Sequence, residues 1–308
     1  MASAQLRDTR RRIRSVEAIK KITRAMELIA TSRIPKAQAR VNASKPYTAK
    51  LIEVIENVGV AGGAKHRLLE QREIKTVGLL VISSDRGLAG SYASNVIRLA
   101  EARIRELDRE GSDVILYAVG KKAQAYFRYR GFRIEGSYIG VTDTPGYGDA
   151  RAMATTVVTA FATGRIDSVE VFFTRYQSAM TQIPTRVDLL PITPPERAVA
   201  EGPTATYEFE PSPEEILDRL LPRYVEATVF NVLLEASASE HSARRRAMKA
   251  ATDNAEELIR VLSVQANRAR QAEITTAITE IVGGAEALAE SSRRVQVPST
   301  KYQVSRTK

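Results

Sequence analysis

The sequence predicts an α/β protein in which two long terminal helices form an antiparallel coiled coil beside a small domain with a largely parallel sheet. Near both ends of the chain, apolar residues recur every three or four positions, the spacing of a helix with one buried face. In the middle, apolar runs rich in β-branched residues alternate with helical stretches, which is typical of a sheet covered by helices. The final third contains a very long stretch without Gly or Pro.

The N-terminal segment, residues 1–58, is predicted to be a helix. Its apolar stripe consists of Ile13, Val16, Ile19, Ile22, Met26, Ile29, Ala37, Val41, Tyr47, Leu51, Val54 and Val58. Pro35 disturbs this pattern, because a proline inside a helix removes one backbone hydrogen bond and clashes with the preceding turn, at a cost of about 3 kcal/mol. We therefore expect a kink or a break near residues 32–34.

The middle segment, residues 74–192, is predicted to form the α/β domain. Strands are expected at residues 76–84, 113–120 and 168–176, and helices near residues 91–110, 121–130 and 149–163. Glycines and a proline between residues 136 and 148 indicate a longer loop. The following residues, 193–212, are rich in proline and acidic residues, which indicates a surface connection.

The C-terminal segment, residues 213–288, is predicted to be the second long helix. From Arg223 to Val282 it contains neither Gly nor Pro, and at 1.5 Å per residue this stretch alone would be at least roughly 90 Å long. A globule of this chain length is about 40 Å wide, so the helix must project and pair with the N-terminal helix. Residues 289–308 are polar, basic and broken by Pro298, which favours a flexible tail.

Composition excludes several classes of site. The chain has no cysteine and only two histidines, His66 and His241, which are far apart in sequence. Disulfides, cysteine nucleophiles and cysteine metal sites are therefore excluded, and no metal site, cofactor site or catalytic constellation is predicted. No segment is apolar enough to span a bilayer, so we expect an intracellular protein that reaches a membrane only through partners.

The net charge of +10 lies almost entirely in the first 50 residues. A basic segment of this kind is attracted to nucleic acid, anionic lipid or an acidic protein surface. One alternative function is therefore that of a nucleic-acid-binding coiled-coil protein. A second alternative is an α/β enzyme with its site in the strand-to-loop junction at Asp85 to Gly90, although this junction lacks the spacing of phosphate-binding glycine motifs and is also explained by a tight turn.

The end of the second long helix, residues 274–289, carries mostly small or apolar side chains and few charges. A helix end that faces water is normally charged, so this end is predicted to be buried by another surface. That surface is either the N-terminal helix of the same chain or a partner.

Three stretches resemble the gamma chains of F-type ATP synthases: RRRIRSVEAIKKITRAMELIATSRIPKAQ (10–38), SSDRGLAG (83–90), and SARRRAMKAATDNAEELI (242–259) followed by RARQAEITTAITEIVGGA (268–285). The resemblance extends to about Leu288. It implies a Rossmann-like foot domain and a coiled coil that turns inside a hexamer of alpha and beta subunits, coupling ring rotation to ATP synthesis or hydrolysis. It also implies contacts with the epsilon subunit and the membrane c-ring, a peripheral position on the cytoplasmic face of the cell membrane, and no catalytic residue of its own.

The resemblance also implies roles for individual positions. The residues implied to contact the catch loop of beta are Arg270, Gln271 and Thr275, and those implied to contact its acidic lever are Met26, Lys20, Lys21, Arg24 and Arg245. Contact with the c-ring is implied for Tyr207, Glu208 and Glu210. The apolar bearing tip is implied to consist of Ile274, Ile278, Ile281 and Val282. Gamma chains usually have Glu where this chain has Ala277, so one catch-loop contact differs here. The longer tail suggests a contact with the peripheral stalk.

Overall fold

A computed structural model describes residues 2–62, 66–193 and 212–295. The elements in chain order are α1 (Ala2–Gly62), a 3-10 turn (Arg67–Leu69), β1 (Thr76–Ile82), α2 (Tyr92–Glu110), β2 (Asp113–Val119), α3 (Lys121–Tyr129), β3 (Ile134–Tyr138), α4 (Tyr147–Ala162), β4 (Ser168–Tyr176), β5 (Gln182–Leu190) and α5 (Pro213–Val295). The mixed α/β fold class predicted from the sequence is confirmed. No helix in the described ranges is both long and apolar enough to cross a membrane.

Helix α1 continues through both Pro35 and Pro46, so it is not broken near residues 32–34, and the alternative of a kink there stays a prediction. Side chains around the first proline are held by tertiary packing: Ala37 and Val41 form a buried cluster with Leu234 and Ala238 of α5. Packing of an apolar face contributes more to helix stability in proteins than intrinsic propensity does. The contacts with α5 therefore offset the hydrogen bond that the proline removes.

The five strands form one sheet in the order β3-β2-β1-β4-β5. Four strands are parallel, and β5 joins the edge in the antiparallel direction. The predicted strands correspond to β1, β2 and β4, while β3 and β5 were not predicted. In particular, β3 includes Gly136, a position predicted to lie in a loop. A side chain at this position would come within 2.9 Å of the Tyr117 ring, so close strand packing explains the glycine.

Helices cover both faces of this sheet. One face packs against α2 and α3 through a cluster that includes Ile97, Ile104 and Phe127. The other face packs against α4 and against the beginning of α5, whose Leu217 and Leu221 are fully buried. The first turns of α5 therefore belong to the core of the α/β domain.

A second compact unit comprises residues up to Ile22 and from Ala251 onward. Within it, α1 and α5 lie side by side, with Leu6, Leu262 and Ala266 buried. The Lys20 ammonium lies 2.9 Å from the Glu256 carboxylate. Helix α5 continues to Val295, beyond the predicted boundary at residue 288, so the first part of the predicted tail is helical. Residues 296–308 lie outside the described ranges.

Truncating Leu221 should destabilise the α/β domain. This side chain is 0% exposed in the core between α5 and the sheet, and Leu→Ala substitutions in such positions cost about 2–5 kcal/mol. Urea unfolding of Leu221→Ala, followed by circular dichroism, measures this loss.

Leu288→Ala is the matched control for the same chemical change. Leu288 is 70% exposed near the end of the same helix, and we expect its truncation to change the unfolding free energy by less than about 0.5 kcal/mol. Equal losses for the two variants would contradict the assignment of the first turns of α5 to the core.

Candidate protein-interaction surfaces

The last part of α5 projects as a single helix. Every side chain from Ile274 to Ser291 is exposed, whereas Leu262 and Ala266 are still buried. Lys20 of α1 pairs with Glu256, so in an antiparallel arrangement the first described residues of α1 lie level with about residue 274. Within the described residues, α1 does not cover the projecting part. The intramolecular alternative for burying this end is therefore not supported.

The projecting helix presents an apolar stripe. Ile274, Ile278, Ile281 and Val282 are 52%, 56%, 72% and 51% exposed, and their spacing places them along one side of the helix. The neighbouring Ala277, Ala285 and Ala289 are also exposed. Single exposed apolar residues are common, but a continuous stripe of large aliphatic side chains marks an interaction surface. We refer to residues 274–289 as the tip.

Polar groups lie just before and within the start of the tip. Arg270, Gln271 and Thr275 are all exposed. The Thr275 hydroxyl donates a 2.9 Å hydrogen bond to the Gln271 carbonyl oxygen, which places these two residues on the same side of the helix. Arg270 and Gln271 thus carry side-chain hydrogen-bond donors at exposed positions.

The basic residues singled out in the sequence differ in their availability. Lys20 is paired with Glu256, and the Arg24 guanidinium lies 2.8 Å from the Glu27 carboxylate. Lys21 is exposed and Arg245 is half-buried. Surface ion pairs of this kind exchange partners at little cost, so the existing pairs do not prevent binding of an acidic surface.

Met26 is half-buried and lines a cavity of about 420 Å³. Its neighbours there include Arg33, Arg86, Leu88 and His241. Sequence reasoning did not single out these four residues as a group, because they come from three separate parts of the chain. The proposed c-ring residues Tyr207, Glu208 and Glu210 lie outside the described ranges.

Asp143 connects several elements beside this cavity. Its carboxylate contacts the Arg33 guanidinium of α1 and lies 3.8 Å from the Nε2 atom of His241 in α5. Its backbone carbonyl oxygen accepts a 3.0 Å hydrogen bond from the Ser237 hydroxyl and lies 3.3 Å from the same His241 nitrogen. The Arg86 guanidinium is 3.8 Å from the carboxylate. The loop before α4 is thereby tied to both long helices.

The Asp85 carboxylate links its loop to the start of α3 and to Thr142 through hydrogen bonds. The Asp85 carboxylate accepts hydrogen bonds from the amides of Lys121 and Thr142, at 3.1 and 3.2 Å, and from the Thr142 hydroxyl at 3.0 Å. Burial alone would raise the pKa of Asp85, but these hydrogen bonds and one from Gly140 hold its pKa below the usual value. The amide at the start of α3 is thus already satisfied by a carboxylate. This arrangement favours a structural turn over a phosphate site.

Comparisons with known proteins point to one family. A family sequence model described as ATP synthase matches residues 5–288. The ATP synthase gamma chain of Parafrankia sp. (strain EAN1pec) is 50% identical over 297 residues, covering 94% of this chain and 100% of the relative. The ATP synthase gamma chain of Mycolicibacterium smegmatis is 46% identical over 305 residues, covering 94% of this chain and 99% of the relative.

Solved structures share the fold. A chain of the Euglena gracilis mitochondrial ATP synthase (OSCP/F1/c-ring, rotational state 3) superposes with a TM-score of 0.65 at 16% identity, covering 98% of this chain and 99% of that chain. A chain of the Tetrahymena thermophila mitochondrial ATP synthase central stalk and c-ring gives a TM-score of 0.57 at 24% identity, covering 75% of this chain and 99% of that chain.

The buried histidine should make the stability of the chain depend on pH. Burial lowers the pKa of His241, and the nearby Arg244 and Arg33 add to this effect, while Asp143 opposes it. The unfolded chain therefore binds a proton more readily than the folded chain does. Stability from this group is complete above about pH 6.5 and falls as the pH decreases toward the lowered pKa, by at most about 1.4 kcal/mol per pH unit.

Urea unfolding between pH 5 and 8 tests this expectation by comparing the wild type with His241→Gln. The pH dependence of the difference between the two proteins reports the histidine together with its coupling to Asp143, while the buried Glu240 is present in both. A difference that stays constant across this range would contradict the assigned pKa shift.

Proposed function

Because this chain belongs to the family of ATP synthase gamma chains, we propose that it is the central rotor shaft of a proton-translocating F-type ATP synthase. In this role it couples rotation of the c-ring to the conformational cycle of the alpha and beta subunits, and so regulates ATPase activity and proton flow. The chain contributes no catalytic residue. The observation that carries the proposal is the exposed apolar tip at the end of a long helix anchored in the α/β domain.

The side chains of the tip are suited to rotation against a surrounding partner surface. Ile274, Ile278, Ile281 and Val282 interact through non-directional apolar contacts, which do not need to be broken and re-formed in one orientation. In the proposed assembly they turn within an apolar sleeve formed by the alpha and beta hexamer. Burial of the tip by partners also accounts for its low charge.

Arg270, Gln271 and Thr275 are proposed to contact the catch loop of beta. They are exposed immediately before or within the tip, and the first two carry side-chain hydrogen-bond donors. Contacts that differ between the conformations of the three beta subunits would let rotation favour each conformation in turn. Ala277 offers no polar group at the position where gamma chains usually have Glu, so Arg270 and Gln271 carry more of this contact here.

The acidic lever of beta is proposed to meet Met26, the basic residues Lys20, Lys21 and Arg24 near it in sequence, and Arg245 of α5. Among the residues that the structure describes, Lys21 and Arg245 have no ion-pair partner, and Lys20 and Arg24 supply further positive charge. Electrostatic complementarity of this kind chiefly sets specificity and association rate. Met26 adds an apolar contact beside the charges.

The foot of the shaft is proposed to meet the epsilon subunit and the c-ring. Tyr207, Glu208 and Glu210 are the residues proposed to face the polar loops of the ring. In this arrangement the chain would lie at the cytoplasmic face of the cell membrane, held there through its partners. The paired helices α1 and α5 would act as a coiled coil. The C-terminal tail is proposed to reach the peripheral stalk.

Co-expression with the alpha and beta subunits of the same organism tests the rotor role. We expect one copy of this chain per three copies of each partner, measured by native mass spectrometry, and ATP hydrolysis that depends on the chain. Replacing Arg270 and Gln271 together by Ala should lower multi-site hydrolysis roughly tenfold, because each lost hydrogen bond contributes about 0.5–1.5 kcal/mol.

Arg128→Ala is the matched control, since Arg128 is an exposed arginine on α3, away from α1 and α5 in sequence. It should assemble and hydrolyse ATP like the wild type. A hexamer that hydrolysed ATP equally well with and without this chain would contradict the proposed function.

A further inference from the structure

The cavity beside Met26 has the size and the lining of a ligand site. Its volume of about 420 Å³ lies within the range of small-molecule pockets in proteins. One part of the lining is aliphatic, from Met26, Ile29 and Ala30 of α1 and from Leu88 of the loop after β1. Another part is polar and contains the guanidinium groups of arginines.

The charges around the cavity do not balance. Arg33, Arg86 and Arg244 supply three positive charges, against the carboxylates of Asp143 and Glu240. Arg244 is bound by Glu240 at 2.6 Å, and Arg33 contacts Asp143 directly. Arg86 is left with only a long 3.8 Å approach to the same Asp143, and its side chain is 67% exposed. An additional anion would therefore find a guanidinium whose donors are largely unused.

Leu88 is held in a conformation that requires an explanation. Its φ angle is +62°, in the left-handed region that non-glycine residues rarely occupy, yet its side chain is 62% exposed. Burial in the core does not compensate this strain. Residues held in such conformations concentrate at binding sites, where the strain fixes a side chain in a functional position. Here the strained backbone holds an aliphatic side chain at the cavity beside the Arg86 guanidinium.

We propose that this cavity binds a small, soluble amphipathic carboxylate. Its aliphatic part would pack against Met26, Ile29 and Leu88, and its carboxylate would accept hydrogen bonds from Arg86. An apolar molecule without charge leaves Arg86 unused, and a compact inorganic anion leaves the aliphatic wall unfilled. The inference rests on the cavity alone, and because Met26 is also proposed to contact the acidic lever of beta, the ligand and the lever would compete for this side chain.

Titration of the full-length chain with octanoate, followed by ligand-observed NMR, tests the site. Octan-1-ol, which has the same alkyl chain without the charge, should bind at least several-fold more weakly. Arg86→Gln should weaken octanoate binding roughly five- to tenfold through loss of a charged hydrogen-bond donor. Arg128→Gln, which removes an equal charge from an exposed position on α3, should leave the affinity unchanged.

Leu88→Gly separates binding from folding. Glycine adopts the positive φ angle without strain, so this variant should be at least as stable as the wild type while binding octanoate roughly tenfold more weakly. Equal octanoate affinity in Leu88→Gly, Arg86→Gln and wild type would overturn the site. Equal affinity of the wild type for octanoate and octan-1-ol would overturn the assignment of a carboxylate ligand.

Discussion

The packing of the first turns of α5 against the sheet is the constraint on which the other features depend. Leu217, Leu221 and Val225 are fully buried there, and the same helix continues to Val295. A load applied to the α/β domain would be passed to α5 through these close-packed side chains. The backbone hydrogen bonds of α5 would then carry it along the helix. Close packing resists slippage, since any sliding would open cavities or force overlaps.

Polar contacts supplement this packing where α1 and α5 meet the loop before α4. Apolar surfaces resist separation but specify direction poorly, whereas hydrogen bonds and ion pairs fix one arrangement. Asp143 supplies such contacts to Arg33 of α1 and to Ser237 and His241 of α5. A single carboxylate-bearing residue thus sets the position of a loop relative to two helices that lie far apart in sequence.

The sequence predicted the elements whose signal is local. Strands β1, β2 and β4 are buried runs with a clear β pattern, and the uninterrupted stretch after Arg223 identified α5. Helix α1 passes through Pro35 because contacts with Leu234 and Ala238 compensate it, which a local pattern does not reveal. The β3 and β5 strands lie at sheet edges, where Gly136 and Pro184 are tolerated and the apolar signal is weak. The surroundings of Asp143 depend on residues about 100 positions apart and have no sequence signature.

In the exposed tip, a mutation can change the function of the protein without changing the amount of folded protein, although the two usually change together. In most of the chain a damaging substitution also lowers the amount of folded protein, because the affected side chain has neighbours within the chain. From Ile274 to Ser291 the side chains are exposed and contribute little to folding. A variant library scored by cellular abundance would therefore find this segment almost neutral, while one scored by ATP synthesis would report on the partner contacts proposed for it.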